Sequence, residues 1–239
     1  MGYIRKWWET PNGRVVEEYH SGKRPPPGGR AEKRQATPEQ MARANQRNKQ
    51  RNIQLLIMAN FRENDYFVTL TYRRELRPED MEECKKQFSK MIRKAKREYD
   101  NLGKTLKWIR VIEKGSRGGW HIHLIVNRIE GTDIILKREW PYGGVVSSLL
   151  YLEGGFRRLA EYMAKEPVGS GETSYSSSRN LERPKPRKKV MSGRTFCRRI
   201  REPAGYYLDK ESVYEGINAY TGYPYRYYTL LILTDRRRE

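Results

Sequence analysis

Ten residues from Gly118 to Asn127, GGWHIHLIVN, restrict the fold more than any other part of the chain. Apolar and β-branched residues dominate the run, and successive side chains of a β-strand point to opposite faces of its sheet. Trp120, Ile122, Leu124 and Val126 therefore share one face, while His121 and His123 share the other. The chain has 3 histidines in all, so a single sheet is expected to offer two of them side by side. Imidazole is the commonest protein ligand for divalent metals, which makes the pair a candidate chelate. Structural or incidental histidines account for an isolated H-x-H run equally well, and the run alone leaves these alternatives open.

The residues just before it add an acid. Thr105 to Lys114, TLKWIRVIEK, reads as a strand, and the five-residue loop GSRGG separates it from the histidine strand. If this loop closes a hairpin with Lys114 opposite Trp120, Glu113 lies across from His121 and faces the same way. A slip of one residue would turn Glu113 to the other side. Two imidazoles and one carboxylate leave coordination positions open, as a catalytic rather than a structural site requires. Mg²⁺ or Mn²⁺ suits such a set when the substrate is a phosphate. Imidazole favours Mn²⁺ and cellular abundance favours Mg²⁺, so both remain candidates.

The expected substrate follows from charge. A formal net charge of +20 and an isoelectric point near 10.0 exceed what solubility requires. They point to a polyanion, nucleic acid first and an anionic membrane surface second. The 2 cysteines, Cys84 and Cys197, are too few for a disulfide framework or a cysteine zinc site, which suits a reducing, cytoplasmic setting. No signal-type apolar core follows the N-terminus and no run approaches a membrane span, so no membrane insertion is expected.

The chain divides by composition into four expected segments. Residues 1–36, with GKRPPPGGR and mixed charges, read as a basic, disordered arm unless Tyr3, Trp7 and Trp8 anchor it. Residues 37–167 form the expected core. Thr37-Pro38-Glu39 starts a helix to about Asn60, FVTLTY at Phe67–Tyr72 is a strand, and Arg77-Pro78-Glu79-Asp80 opens a second helix. Met81, Cys84, Phe88, Met91, Ile92 and Ala95 recur along that helix at the spacing of a buried face. A short helix near Asp133–Trp140, an edge strand in GGVVSSLLYL and a helix over FRRLAEYMAKEP follow, with Pro167 ending the last. Residues 168–202 read as a basic loop or linker. Within it Arg183, Lys185, Arg187, Lys188, Lys189, Arg194, Arg198 and Arg199 run with no acid among them, a candidate phosphate-binding patch. Residues 203–239 carry a closing strand, YRYYTLLIL, whose tyrosines suit a strand or, alternatively, stacking on unpaired bases. The resulting fold class is α+β, a mainly antiparallel central sheet with flanking helices.

FVTLTY, then Glu113 and His121-Ile122-His123, then Tyr162-x-x-Lys165 resembles, in that order, the HUH endonucleases. The likeness is to the single-tyrosine rolling-circle replication initiators of plasmids, phages and small single-stranded DNA elements. It spans roughly Phe67–Pro167, and Ser178–Pro184, SRNLERP, resembles a segment of bacterial phage- and plasmid-type initiators. The resemblance implies an RRM-like palm, a divalent ion held by Glu113, His121 and His123, and DNA attack by Tyr162 with Lys165 as the motif lysine. It also implies nicking and rejoining of single-stranded DNA at an origin through a 5′-phosphotyrosine. Single-tyrosine transposases and mobilisation relaxases are neighbouring readings, and a non-catalytic nucleic-acid-binding protein is one of another class. No G-x-x-x-x-G-K-[ST] stretch occurs, so a separate host helicase is the expected partner.

The residues agree with such chemistry. A phenol titrating at about 10 is a poor nucleophile at neutral pH and needs a nearby cation. Lys165, one helical turn after Tyr162, places positive charge within reach, although a lysine near a helix C-terminus is also favourable without any catalytic role. With 17 tyrosines in the chain, packing is the alternative for Tyr162, and Lys114 or Arg117 are alternative partners for Glu113. Thr69 and Thr71 either touch DNA or reflect β-propensity alone, and His20 reads as incidental.

Overall fold

A computed structural model describes residues 2–21, 37–115, 118–165, 173–196, 198–218 and 222–233. Its first elements are β1 (Tyr3–Thr10), β2 (Gly13–His20), α1 (Pro38–Asn60), β3 (Tyr66–Thr71), α2 (Met81–Asn101), β4 (Trp108–Lys114) and β5 (Trp120–Val126). Then come α3 (Thr132–Glu139), β6 (Val145–Leu149), α4 (Arg157–Ala164), β7 (Thr173–Ser177), β8 (Arg187–Met191), α5 (Gly193–Phe196), β9 (Tyr206–Ile217) and β10 (Pro224–Ile232). The α+β class is as expected, but the strands form two five-stranded antiparallel sheets rather than one. The chain accordingly divides into two compact units. One comprises Met1–Ala59, Leu152–Glu161 and Arg183–Glu239, the other Asn60–Tyr151 and Tyr162–Glu182.

The second unit carries the histidine strand. Its sheet runs β6-β3-β5-β4-β7, with β5 at the centre. Asp80 caps α2 by accepting a hydrogen bond of 2.8 Å from the Glu83 amide. From there Met81, Cys84, Phe88, Met91, Ile92 and Ala95 are buried along one side of the helix. They share a core with Val68, Leu70, Ile112, Ile122, Leu124 and Val126, the residues that alternate away from the histidines. Each large apolar side chain so buried contributes about 1.5–3 kcal/mol, so the register of β5 is held by its apolar face. The histidine face follows from that constraint.

Three readings along the chain are corrected. The expected disordered arm is instead, over Tyr3–His20, the β1–β2 hairpin, with Tyr3 and Trp8 buried; residues 22–36 lie outside the described residues. Its turn places Gly13 at φ 151°, where a Cβ would come within 2.3 Å of the Leu230 carbonyl oxygen. The expected loop after Pro167 contains β7, an edge strand held to β4 by backbone pairing from Ile109↔Ser177 to Glu113↔Thr173. Part of the expected basic linker, Arg187–Met191, is β8, which pairs with β1. The closing strand β10 forms, but between β2 and β9 in the first unit's sheet, whose order is β8-β1-β2-β10-β9.

Candidate active site

The β4–β5 hairpin has the register that the loop length requires: Lys114 pairs with Trp120 and Glu113 with His121. On the other side, β3 sets Thr69 opposite His123 and Thr71 opposite His121. Candidate ligand atoms of Glu113, His121 and His123 all lie within 4.8 Å of one another. His123 is buried, its Nε2 is 2.9 Å from Glu113 Oε1, and its Nδ1 is 3.3 Å from Thr69 Oγ1. The Phe67 ring lies parallel to the imidazole, with centroids 5.8 Å apart and an interplanar angle of 4°.

This environment suits a cation. Burial pushes the His123 pKa below the ordinary imidazole value, outweighing the Glu113 carboxylate that raises it. The imidazole is thereby held neutral, the form that binds metal. If Nδ1–H donates to Thr69, the Nε2 lone pair faces the Glu113 carboxylate, and two electron-rich atoms 2.9 Å apart need a proton or a cation between them. The donor set, two imidazoles and a carboxylate, fits a divalent metal with open positions.

Tyr162, in the last turn of α4, reaches the same place. Its hydroxyl lies 2.9 Å from His123 Nε2 and 3.4 Å from Nδ1, and its ring stands edge-on to His123 at 5.1 Å. At 42% relative exposure it is open to a substrate. Burial of the phenol, with the Glu113 charge second, pushes its pKa up to about 12. The protein alone therefore disfavours the phenolate, and a nearby cation would work against both effects. Lys165 is exposed just beyond α4; its amide donates to the Tyr162 carbonyl at 3.2 Å, and its ammonium has no hydrogen bond or ion pair among the described residues.

Residues 65–167 match the family model of the replication-associated protein ORF2/G2P. The matched span takes in β3, the β4–β5 hairpin and Tyr162, and the likeness supports a replication initiator of the Rep type. It covers less than half of the chain. No curated protein and no solved structure matches.

The eight cations expected to bind phosphate, Arg183, Lys185, Arg187, Lys188, Lys189, Arg194, Arg198 and Arg199, are all exposed in the first unit, on β8, α5 and the segments beside them. Arg187 is paired with Glu9 at 3.2 Å. His20 is buried against Tyr3 and Tyr223 in that unit, apart from the metal-ligand set. The contact of Thr69 with His123 was the feature least visible in the sequence. The alternation of FVTLTY places Thr69 on one face, but only the β3–β5 pairing says which histidine it meets.

Proposed function

We propose that the protein is an HUH-type, single-tyrosine endonuclease that nicks and rejoins single-stranded DNA at a rolling-circle origin. The observation that carries this reading is the convergence of the Tyr162 hydroxyl and the Glu113 carboxylate on one buried imidazole beside a second one, His121. Glu113, His121 and His123 would hold the divalent ion, Mg²⁺ or Mn²⁺. When bound, it supplies Lewis-acid polarisation of the scissile phosphate and positive charge near the phenol.

The remaining work belongs to the chain. Thr69 and Phe67 orient His123, and α4 presents the phenol oxygen to the phosphorus. Tyr162 Oη forms a bond to phosphorus as the bond to the 3′-oxygen breaks. The phenol proton is lost and the 3′-oxygen takes one up, so the products are a 5′-phosphotyrosine and a 3′-hydroxyl. The phosphodiester energy is conserved in the new ester, and attack by a 3′-hydroxyl reverses the step. Lys165 offers an exposed cation for the phenolate and DNA, and a separate helicase would open the duplex.

The test is cleavage of labelled single-stranded origin DNA with Mn²⁺ or Mg²⁺, with and without a chelator. A covalent adduct is expected with metal and with Tyr162, and none with Tyr162→Phe. An adduct that persists in Tyr162→Phe removes this residue from the role. Binding without cleavage of any origin-derived strand would favour a non-catalytic DNA-binding protein.

A further inference from the structure

The first unit contains a cleft that the nicking chemistry does not use. Across its sheet one row of paired residues runs Lys188, Lys6, Glu17, Tyr227 and Tyr214, one from each strand. The face is thus cationic at the β8 and β1 side and aromatic at the β10 and β9 side. In the neighbouring row Tyr225 lies between Tyr19 and Gly216, with its ring 6.1 Å from that of Tyr214. Helix α1 lies over this face. Arg51 pairs with Glu17, the Tyr227 hydroxyl donates to Gln54 at 2.9 Å, and the Arg47 guanidinium sits 5.1 Å from the Tyr214 ring centroid. Between helix and sheet is a cavity of about 770 Å³.

Its charges do not cancel. Glu17 is met by Arg51 and, at 3.8 Å, by Lys6; Glu161 and Glu211 are met by Arg157 at 2.9 and 3.0 Å. Arg43 and Arg47, two cavity-lining cations on successive turns of α1, are exposed and make no ion pair among the described residues, although Glu39 lies one turn before Arg43. Unpaired guanidinium groups beside aromatic rings, here the exposed Tyr214 and the partly buried Tyr225, are what binds a single strand, through its phosphates and its unstacked bases. A duplex offers phosphates but keeps its base faces stacked, so the tyrosines would be unused.

We propose that this cleft is a second DNA site, holding single-stranded DNA by phosphate contacts to Arg43 and Arg47 and by base stacking on Tyr214 and Tyr225. The site rests on the proposed reading that the protein acts on DNA, but it needs neither metal nor Tyr162. It would retain one strand near the enzyme while the other unit acts.

The test uses full-length Tyr162→Phe protein in chelator, so that cleavage is absent, and fluorescence anisotropy with a labelled oligothymidine. Tyr214→Ala is expected to weaken binding roughly 5- to 150-fold, and Tyr214→Phe to leave it near the parent value. Joint Arg43→Ala and Arg47→Ala is expected to reduce the slope of log affinity against log salt by about 1.4. Circular dichroism of each variant checks folding, and crosslinks from halogenated uracil should map to the peptides of Tyr214 or Tyr225. Unchanged affinity and slope in folded variants, tighter duplex binding indifferent to Tyr214→Ala, or crosslinks confined to 183–199 would overturn the proposal. Adduct formation by the unsubstituted protein on origin DNA is read separately. Its failure would count against the nuclease and leave the cleft standing.

Discussion

At the scale of single residues, the candidate site is a balance of opposed shifts. Burial holds His123 towards its neutral form, and burial with the Glu113 charge holds Tyr162 towards its protonated form; on the proposed function, a bound cation would offset the second shift. Thr69 steadies this balance through Nδ1 of His123. Thr69→Val, which keeps the shape and removes the hydroxyl, is expected to lower Mn²⁺ affinity roughly 10- to 100-fold in calorimetric titration; unchanged affinity would show that the contact does not orient the ring. Both His123 and His20 have pKa values lowered by burial from 6.5. As pH falls through this value the unfolded chain binds protons that the folded chain refuses, so acidification destabilises the fold, whereas well above it neither state is protonated. The urea midpoint should therefore fall between about pH 7.5 and about pH 5.5, and His20→Phe should flatten part of that slope.

At the scale of elements, what was legible depended on whether a segment supplies its own burial. The β4–β5 register and the buried face of α2 could be read directly, because apolar residues at period 2 or at helical spacing allow one orientation. The N-cap of α1 at Thr37 was legible too: the Gln40 amide donates to Thr37 Oγ1 at 3.3 Å, while the return bond from the Thr37 amide to Gln40 Oε1 at 3.0 Å comes from a residue not singled out in the sequence. By contrast, β7 and β8 have polar or charged sequences, and in β8 Arg187–Val190 are all exposed. Their order comes from the strand they pair with, which local sequence does not name. The β1–β2 hairpin did carry a turn signal, Asn12-Gly13, but its strands are dense in charge. Entry to α4 depends on a left-handed turn through Gly154, Gly155 and Phe156, at φ 56°, 58° and 59°. Gly155→Ala is expected to cost about 1–2 kcal/mol from the backbone conformation alone, measured as a fall in the urea midpoint. An unchanged midpoint would mean that the turn relaxes freely.

At the scale of the whole molecule, the charge of +20 is spent unevenly. Some of it is structural: in the first unit the fully buried Glu18 accepts from Arg5 at 2.6 Å, Arg226 Nε at 2.8 Å and the Tyr228 hydroxyl at 3.0 Å. Arg226→Met leaves that carboxylate short of its more buried cation and is expected to destabilise the fold by about 3–5 kcal/mol in denaturant unfolding. Lys188 and Lys189 of β8 and Arg43 and Arg47 of α1 remain exposed and available to a polyanion. Among the described residues no helix is long and apolar enough to cross a membrane. The most direct measurement of the central claim is mass spectrometry of the protein after reaction with single-stranded origin DNA and nuclease trimming. The nucleotide should be found on the peptide containing Tyr162, and a nucleotide on any other tyrosine would contradict the assignment.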